Sequence, residues 1–251
     1  MKTILDGSRK LLVESLDIIS WPNDIIVVGG WGPFIRHQNN HPGTKDVDLL
    51  FPFTYTKEDI AKVLIRFLDS GFFLSAKHEF QLCRAFQIGQ RTYIYNVDLL
   101  HPIYGNFDKV DFIEVLDLDV SIDGIKVKTV NTINIQHGDI IYDERLFTES
   151  EVDGRKFNSL DASGIIISKI NSCINKKRPR DIFDIYLSLN EQNVPKKLDH
   201  LMSINSVLGE ELTKFNASFE KNWPFFKKSI SEFDPSLEIN KNLLSMSFLF
   251  Q

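Results

Sequence analysis

Two neighbouring segments constrain the possible folds of this chain more than any other feature. One is a strand that ends in two glycines, and the next is a strand that carries two aspartates. The first stretch is the apolar segment 25–28, which runs into Gly29 and Gly30. The second stretch reads TKDVDLL and places Asp46 and Asp48 one residue apart. Because side chains alternate between the two faces of a strand, both carboxylates are expected on one face. The pattern predicts an acidic site beside a glycine turn.

A third carboxylate lies in a similar apolar strand. Asp98 belongs to the segment 93–100, which reads YIYNVDLL. Aspartates are rarely buried unless a cation compensates their charge, and the apolar residues after Asp48 indicate a strand covered on both faces. Three such carboxylates are suitable ligands for two divalent metal ions that bind a nucleoside triphosphate. The alternative places Asp46 and Asp48 on the solvent face of an edge strand.

The two glycines also allow two interpretations. A strand-to-helix turn favours glycine because glycine adopts positive φ without strain. The missing side chains would also let backbone N–H groups approach a phosphate at the start of the next helix. The segment lacks the spacing of a Walker A loop and of the Rossmann fingerprint. Gly29 and Gly30 are therefore candidates for phosphate contact outside those two motifs.

Hydrophobic periodicity predicts two domains in the 251 residues. Helices and strands alternate in the first part, which includes an expected hairpin between segments 112–120 and 125–130. Beyond about residue 155 the pattern becomes helical. We therefore predict an α/β fold, with an α/β domain over residues 1–155 followed by a C-terminal helical domain over 156–251.

Composition and charge disfavour some classes of protein for this chain. The net charge of −5 argues against a surface that coats nucleic acid. The two cysteines, Cys83 and Cys173, lie in apolar segments and resemble core residues, which favours a cytoplasmic location. No apolar run approaches the roughly 18 residues of a membrane span, so no membrane partner is expected. The second half contains a basic cluster that would suit a polyphosphate: Lys169, Lys176, Lys177, Arg178, Arg180, Lys196 and Lys197. The alternative is that residues 176–180 form a solvated turn between two helices.

The order of these motifs resembles the DNA polymerase β-type nucleotidyltransferase superfamily. The resemblance rests on the diglycine turn, the Asp46-Val47-Asp48 strand and the later Asp98. Ser168-Lys169-Ile170 and the segment 178–187, RPRDIFDIYL, are similar to the helical motif of AbiEii-type nucleotidyltransferases. That group includes toxins of type IV toxin–antitoxin systems.

The resemblance implies a mixed-sheet nucleotidyltransferase domain, a helical domain and a Mg²⁺-dependent reaction. A nucleoside monophosphate would pass from a nucleoside triphosphate, the donor substrate, to a hydroxyl group. Two Mg²⁺ ions would be held by the three catalytic carboxylates, Asp46, Asp48 and Asp98. The nucleotide would be contacted by Gly29, Gly30, Thr44, Lys45, Lys169 and Asp184.

The acceptor and the biological role stay open at this stage. The toxin-like resemblance implies an RNA end, particularly tRNA, as acceptor, and an antitoxin as partner. A protein side chain or a small-molecule hydroxyl stays open as acceptor. The Gly29-Gly30-Trp31 sequence also resembles aminoglycoside and lincosamide nucleotidyltransferases, which usually carry an aspartate where this chain has Pro33 to Arg36. A third interpretation is a catalytically silent module that binds nucleotides.

Overall fold

The computed structural model describes residues 1–38, 41–102, 112–116, 120–122, 125–127, 130–175, 178–246 and 249. Lys176, Lys177 and the turn residues 123 and 124 of the expected hairpin therefore lie outside the described residues. The elements are α1 (Ile4–Ile19), β1 (Ile26–Val28), α2 (Trp31–Arg36), β2 (Val47–Leu50), α3 (Lys57–Asp69), β3 (Phe73–Leu74), β4 (Gln81–Ile88), β5 (Arg91–Pro102), β6 (Phe112–Leu116), β7 (Val120–Ile122), β8 (Ile125–Val127), β9 (Val130–Ile135), α4 (Gly138–Asp143), β10 (Phe147–Val152), β11 (Arg155–Leu160), α5 (Ala162–Ile174), α6 (Pro179–Leu189), α7 (Val194–Ile204), α8 (Ser206–Lys221), α9 (Trp223–Phe233) and α10 (Lys241–Leu244).

The chain divides into two compact units. The first contains residues 1–31 and 44–159, and the second contains residues 32–43 and 160–251. The predicted fold class is confirmed, because an α/β part with a mixed sheet precedes a helical part. The segment 32–43 belongs with the helices of the second unit, although it precedes β2 in the sequence. The predicted division at residue 155 stays a prediction.

A mixed sheet forms the centre of the first unit. Its strands follow the order β10-β11-β1-β2-β5-β4-β3 within the described residues, and β9 joins β5 and carries β6. The pairs β1–β11, β2–β5 and β5–β9 are parallel, whereas β1–β2, β4–β5 and β6–β9 are antiparallel. The central strands are buried, as their apolar runs predict: Val47, Leu49 and Leu50 are fully inaccessible.

Helix α1 covers one face of this sheet. The Tyr95 hydroxyl on β5 donates a hydrogen bond of 2.8 Å to the Ile4 carbonyl oxygen, and Arg84 on β4 pairs with Glu14 at 3.0 Å. Since side chains alternate along β5, Asp98 points to the opposite face from Tyr95. The helix–sheet packing therefore leaves the acidic face of β5 free of α1.

One sequence expectation about the strands is wrong and one is confirmed in part. Residues 155–160 form β11, which pairs with β1, so the helices do not begin directly beyond residue 155. The expected antiparallel pairing of the hairpin is present, because β7 pairs with β8 and β6 pairs with β9, with Val120 opposite Val127 and Leu116 opposite Val130. The second strand extends to residue 135, beyond the predicted end at residue 130. Strand partners and strand ends depend on long-range contacts, which short-range periodicity does not report.

The second unit is built around α5 and α6. Its core contains a triad of phenylalanine rings in which Phe226 meets Phe215 and Phe219 edge to face, at centroid distances of 5.7 and 5.4 Å. All three side chains are fully buried. Edge-to-face geometry is the favoured arrangement of aromatic rings, and it fixes α8 against α9. This unit supplies the helical bundle that the sequence predicts.

Candidate functional site

The turn after β1 is fitted around one carboxylate. Gly29 has φ of +66°, a left-handed conformation that favours glycine. A Cβ atom added at Gly29 would overlap the carboxylate of Asp48. The backbone of the turn therefore passes directly beside the acid, and Gly29 is required both for its conformation and for its lack of a side chain. Gly30 is buried next to it.

Asp48 and Asp98 lie side by side on neighbouring strands. They are paired residues in the parallel β2–β5 ladder, so their side chains share a face of the sheet. Adjacent strands are about 4.8 Å apart, which places the two carboxylates close together. Both residues are half-buried, whereas Leu49 and Leu99 after them are fully buried. The sheet thus presents a pair of acids on the face that α1 leaves uncovered.

Asp46 lies just before β2 and is held by two contacts. The Thr44 hydroxyl donates a hydrogen bond of 2.6 Å to Asp46 Oδ1. The indole N–H of Trp31, a fully buried side chain, donates to the Asp46 carbonyl oxygen at 2.9 Å. Thr44 thus contacts a candidate metal ligand in this structure, and Lys45 beside it is exposed.

A residue that the sequence analysis missed contacts Asp98. The Gln81 side-chain amide donates a hydrogen bond of 2.8 Å to Asp98 Oδ1. Gln81 and Asp98 are directly opposite each other in the antiparallel β4–β5 ladder. A polar residue at the start of the apolar strand β4 is a weak sequence signal, and only the strand register places it beside the acid.

The donor set suits Mg²⁺, although the carboxylates do not form a complete cage. Among the described residues, no group of three or more His, Cys, Asp or Glu side chains is arranged to enclose a metal ion. Mg²⁺ is commonly bound by one or two carboxylates together with substrate phosphates and water. Asp48, beside the bare backbone of Gly29, and its neighbour Asp98 are hard oxygen donors that could hold such an ion.

The two remaining candidates, Lys169 and Asp184, lie in the second unit and contact each other. Lys169 Nζ lies 3.0 Å from Asp184 Oδ2 and 2.7 Å from Asp181 Oδ1. Lys169 is 8% exposed and Asp184 is fully buried. Ser172 donates a hydrogen bond to the other oxygen of Asp181. In this structure the charge of Lys169 is thus compensated by two carboxylates of α6.

His41 attaches the segment 32–43 to the same cluster. Its Nε2 lies 2.9 Å from Asp184 Oδ1, and both side chains are fully buried. The Gly43 backbone N–H donates to His41 Nδ1 at 3.1 Å, so Nδ1 is the acceptor and Nε2 carries the proton. The imidazole also stacks on the Phe183 ring. We name His41, Lys169, Asp181 and Asp184 the buried ionic cluster.

Electrostatics in the buried ionic cluster favour the charged forms. Burial by itself would raise the pKa of Asp184, but the Lys169 ammonium, with His41 and Arg180, holds that pKa below its usual range. Burial would likewise lower the pKa of Lys169, but Asp184 and Asp181 raise it well above its usual range. The ion pair is therefore maintained across the physiological pH range.

A second ion pair joins the segment 32–43 to the helical unit. The Arg36 guanidinium contacts both carboxylate oxygens of Glu191, with Nε 2.6 Å from Oε1. This bidentate geometry is the strongest form of the arginine–carboxylate pair. Burial lowers the pKa of the neighbouring His37. Arg36 and His41 together explain why this segment packs with the second unit.

Comparisons with known proteins do not assign this chain to a family. No protein-family model matches the chain, and no curated protein matches it. The chain is similar to a solved structure, an antigenic nucleotidyltransferase-like protein from Paracoccidioides brasiliensis, with 16% identity over 83% of this chain and 93% of that chain. The TM-score of 0.39 is too low for this similarity to carry an argument. In the described part of the chain, no helix combines the length and apolar character of a membrane span.

Proposed function

We propose that this chain is a nucleotidyltransferase that transfers a nucleoside monophosphate from a nucleoside triphosphate to a hydroxyl group. One observation carries the proposal: the glycine turn after β1 is shaped around Asp48, which is in register with Asp98 on the neighbouring strand. A bare backbone beside paired carboxylates can receive a phosphate chain together with Mg²⁺. The motif order described above agrees with this chemistry.

Each candidate site residue of the first unit has a defined role in the proposed reaction. Gly29 and Gly30 leave room for the phosphates, with Thr44 and Lys45 beside the nucleotide, and Asp46, Asp48 and Asp98 hold Mg²⁺. Bound Mg²⁺ would neutralise the phosphate charge. The acceptor oxygen attacks the α-phosphorus, the bond to the β-phosphate bridging oxygen breaks, and pyrophosphate leaves. Asp98 accepts the proton of the acceptor hydroxyl.

Lys169 and Asp184 are proposed to contribute to nucleotide binding through the helical unit. Their mutual contact supports a role for Asp184 in holding the Lys169 ammonium in place. An ammonium group carries three N–H donors, so its contacts with two carboxylates do not use up its capacity to donate to a phosphate oxygen.

The donor site is tested by calorimetric titration of the purified chain with ATP, GTP, CTP and UTP, each with and without Mg²⁺. We expect Mg²⁺-dependent binding of at least one nucleotide and its loss in Asp48→Asn. The matched control is Asp17→Asn, because Asp17 lies on α1, which covers the other face of the sheet, and is 53% exposed. Equal binding by wild type and Asp48→Asn would refute the proposed site.

The acceptor is tested with α-labelled nucleotide. We propose an RNA end, particularly of tRNA, or a protein side chain, with an antitoxin as inhibitory partner. Transfer of label to tRNA or protein, lost in Asp98→Asn, would support this class of acceptor. Transfer to an aminoglycoside or lincosamide would instead assign the chain to the antibiotic-modifying group. Nucleotide binding without transfer to any of these acceptors would indicate a silent nucleotide-binding module.

A further inference from the structure

The contact between Gln81 and Asp98 has a geometry that sets the direction of one carboxylate. Gln81 begins β4, and its side-chain N–H group donates to Asp98 Oδ1 at 2.8 Å. The two residues are exact cross-strand neighbours, so their side chains rise from the same face of the sheet. The hydrogen bond therefore joins two residues that lie directly opposite each other on neighbouring strands.

A carboxylate on a strand needs such a contact to keep one orientation. The χ2 torsion of aspartate has a broad distribution, so an unsupported carboxylate rotates with little resistance. A hydrogen bond to Oδ1 restrains that rotation and fixes the direction of Oδ2. The amide of Gln81 is neutral, so it orients Asp98 without reducing the negative charge that a metal ion requires.

Position along the strand supports a role beyond stabilising the sheet. The next pair on this face joins the thiol of Cys83 to the Asn96 side chain at 3.5 Å, and Ile94 after it is 63% exposed. The strong polar contact is thus found at the pair that contains the carboxylate.

We propose that Gln81 is a positioning residue that holds the Asp98 carboxylate for metal binding. This inference rests on the proposed function, because it requires Asp98 to be a ligand. Partners that orient metal-bound side chains typically contribute about 10- to 100-fold to metal affinity. The structure thus extends the candidate site from the three acids to the strand next to them.

The test uses Mn²⁺ as the probe and titrates it into the full chain by calorimetry, in the presence of the nucleotide that binds. We expect Gln81→Met to weaken Mn²⁺ binding about 10- to 100-fold. Gln87→Met is the matched control, since Gln87 lies on the same strand and face but is exposed. It should bind Mn²⁺ as the wild type does, and circular dichroism should show both variants fully folded at the temperature of the titration.

A second measurement separates orientation from stability. In crystals of metal-free Gln81→Met, the Asp98 carboxylate should adopt a different or mixed χ2, whereas it should be unchanged in Gln87→Met. Unchanged Mn²⁺ affinity in Gln81→Met, while Asp98→Asn loses Mn²⁺, would overturn the positioning role and leave the proposed function intact. Equal weakening in both methionine variants would also overturn it. Failure of the wild type to bind Mn²⁺ with any nucleotide would refute the proposed function and this inference together.

Discussion

Replacing Lys169 with methionine tests whether the buried ionic cluster is a main support of the helical unit. Methionine keeps most of the aliphatic length of lysine and removes the charge. The ammonium lies 2.7 Å from Asp181 Oδ1 and 3.0 Å from Asp184 Oδ2, and Lys169 is 8% exposed. Lys169→Met therefore removes the nearest cation of two buried carboxylates and leaves Asp184 with Arg180, whose Nε lies 3.9 Å from Asp184 Oδ2.

The expected cost is large compared with the stability of a domain. Breaking a buried ion pair by removing one partner costs about 3–5 kcal/mol, because the remaining charge stays desolvated. Total unfolding free energies are about 5–15 kcal/mol, so the variant loses about 30–50% of a mid-range value of about 10 kcal/mol. The hydrogen bonds from His41 to Asp184 and from Ser172 to Asp181 remain and limit the loss.

The loss is measured by urea unfolding at pH 7, with circular dichroism and tryptophan fluorescence as reporters. Lys228→Met is the control within the same unit, because Lys228 is 76% exposed and 3.7 Å from Glu232. Exposed pairs contribute little, so this control should unfold with the wild type. A loss below about 1 kcal/mol in Lys169→Met would refute the reasoning, since it would mean that the carboxylates do not depend on Lys169.

The pH dependence of the same variant has a defined sign. In the wild type, the folded-state pKa of Asp184 lies below its usual range, so its stabilisation is present above about pH 4 and is lost as the pH falls through that lowered pKa. Without Lys169, burial raises the pKa of Asp184, and proton uptake then favours the folded state. The stability deficit of Lys169→Met should therefore shrink between pH 7 and pH 5. A deficit that grows over this interval would contradict the assignment.

Three further substitutions test local features of the first unit. Gly29→Ala should abolish nucleotide binding and destabilise the fold, because its Cβ would overlap the Asp48 carboxylate. The control is Gly154→Ala, at φ of +74° in open space, which should bind the nucleotide normally. Both variants are compared with the wild type by calorimetry and urea unfolding. Tyr142→Phe should cost about 1 kcal/mol in urea unfolding, because its hydroxyl donates a hydrogen bond of 2.7 Å to a carbonyl oxygen of β2. Thr56→Ala should cost about 1 kcal/mol by the same assay, because it removes the N-cap of α3.

Local signals in the sequence were sufficient for most elements of both units. The apolar periodicity over residues 3–20 predicts a helix, Thr56 with Asp59 predicts a capping box, and the turn at Gly89 predicts a hairpin. The structure has all three, as α1, the start of α3 and the β4–β5 pair. These features depend on periodicity, caps and turn residues, all of which act over a few residues. The same reasoning predicted that Asp48 and Asp98 lie on apolar strands.

Two features of the candidate site required tertiary structure. The strand register decided that Asp48 and Asp98 are direct neighbours, and that Gln81 reaches Asp98 from the strand on the other side. Register depends on the packing of whole strands, because a shift of one residue would turn every side chain to the opposite face. The sequence shows which residues are acidic, but it does not show which carboxylates lie next to each other.

In the helical unit, too, contacts between residues far apart in the sequence required tertiary structure. The motif containing Lys169 and Asp184 is visible in the sequence, but the contact between Asp184 and His41, 143 residues apart, is not. Burial makes each of these charges depend on the others, since an unpaired ion in the core would be strongly unfavourable. The sequence by itself determined the residue types and their local elements. Tertiary packing decided that segment 32–43 joins the helices, because there His41 pairs with the buried Asp184 and Arg36 pairs with Glu191.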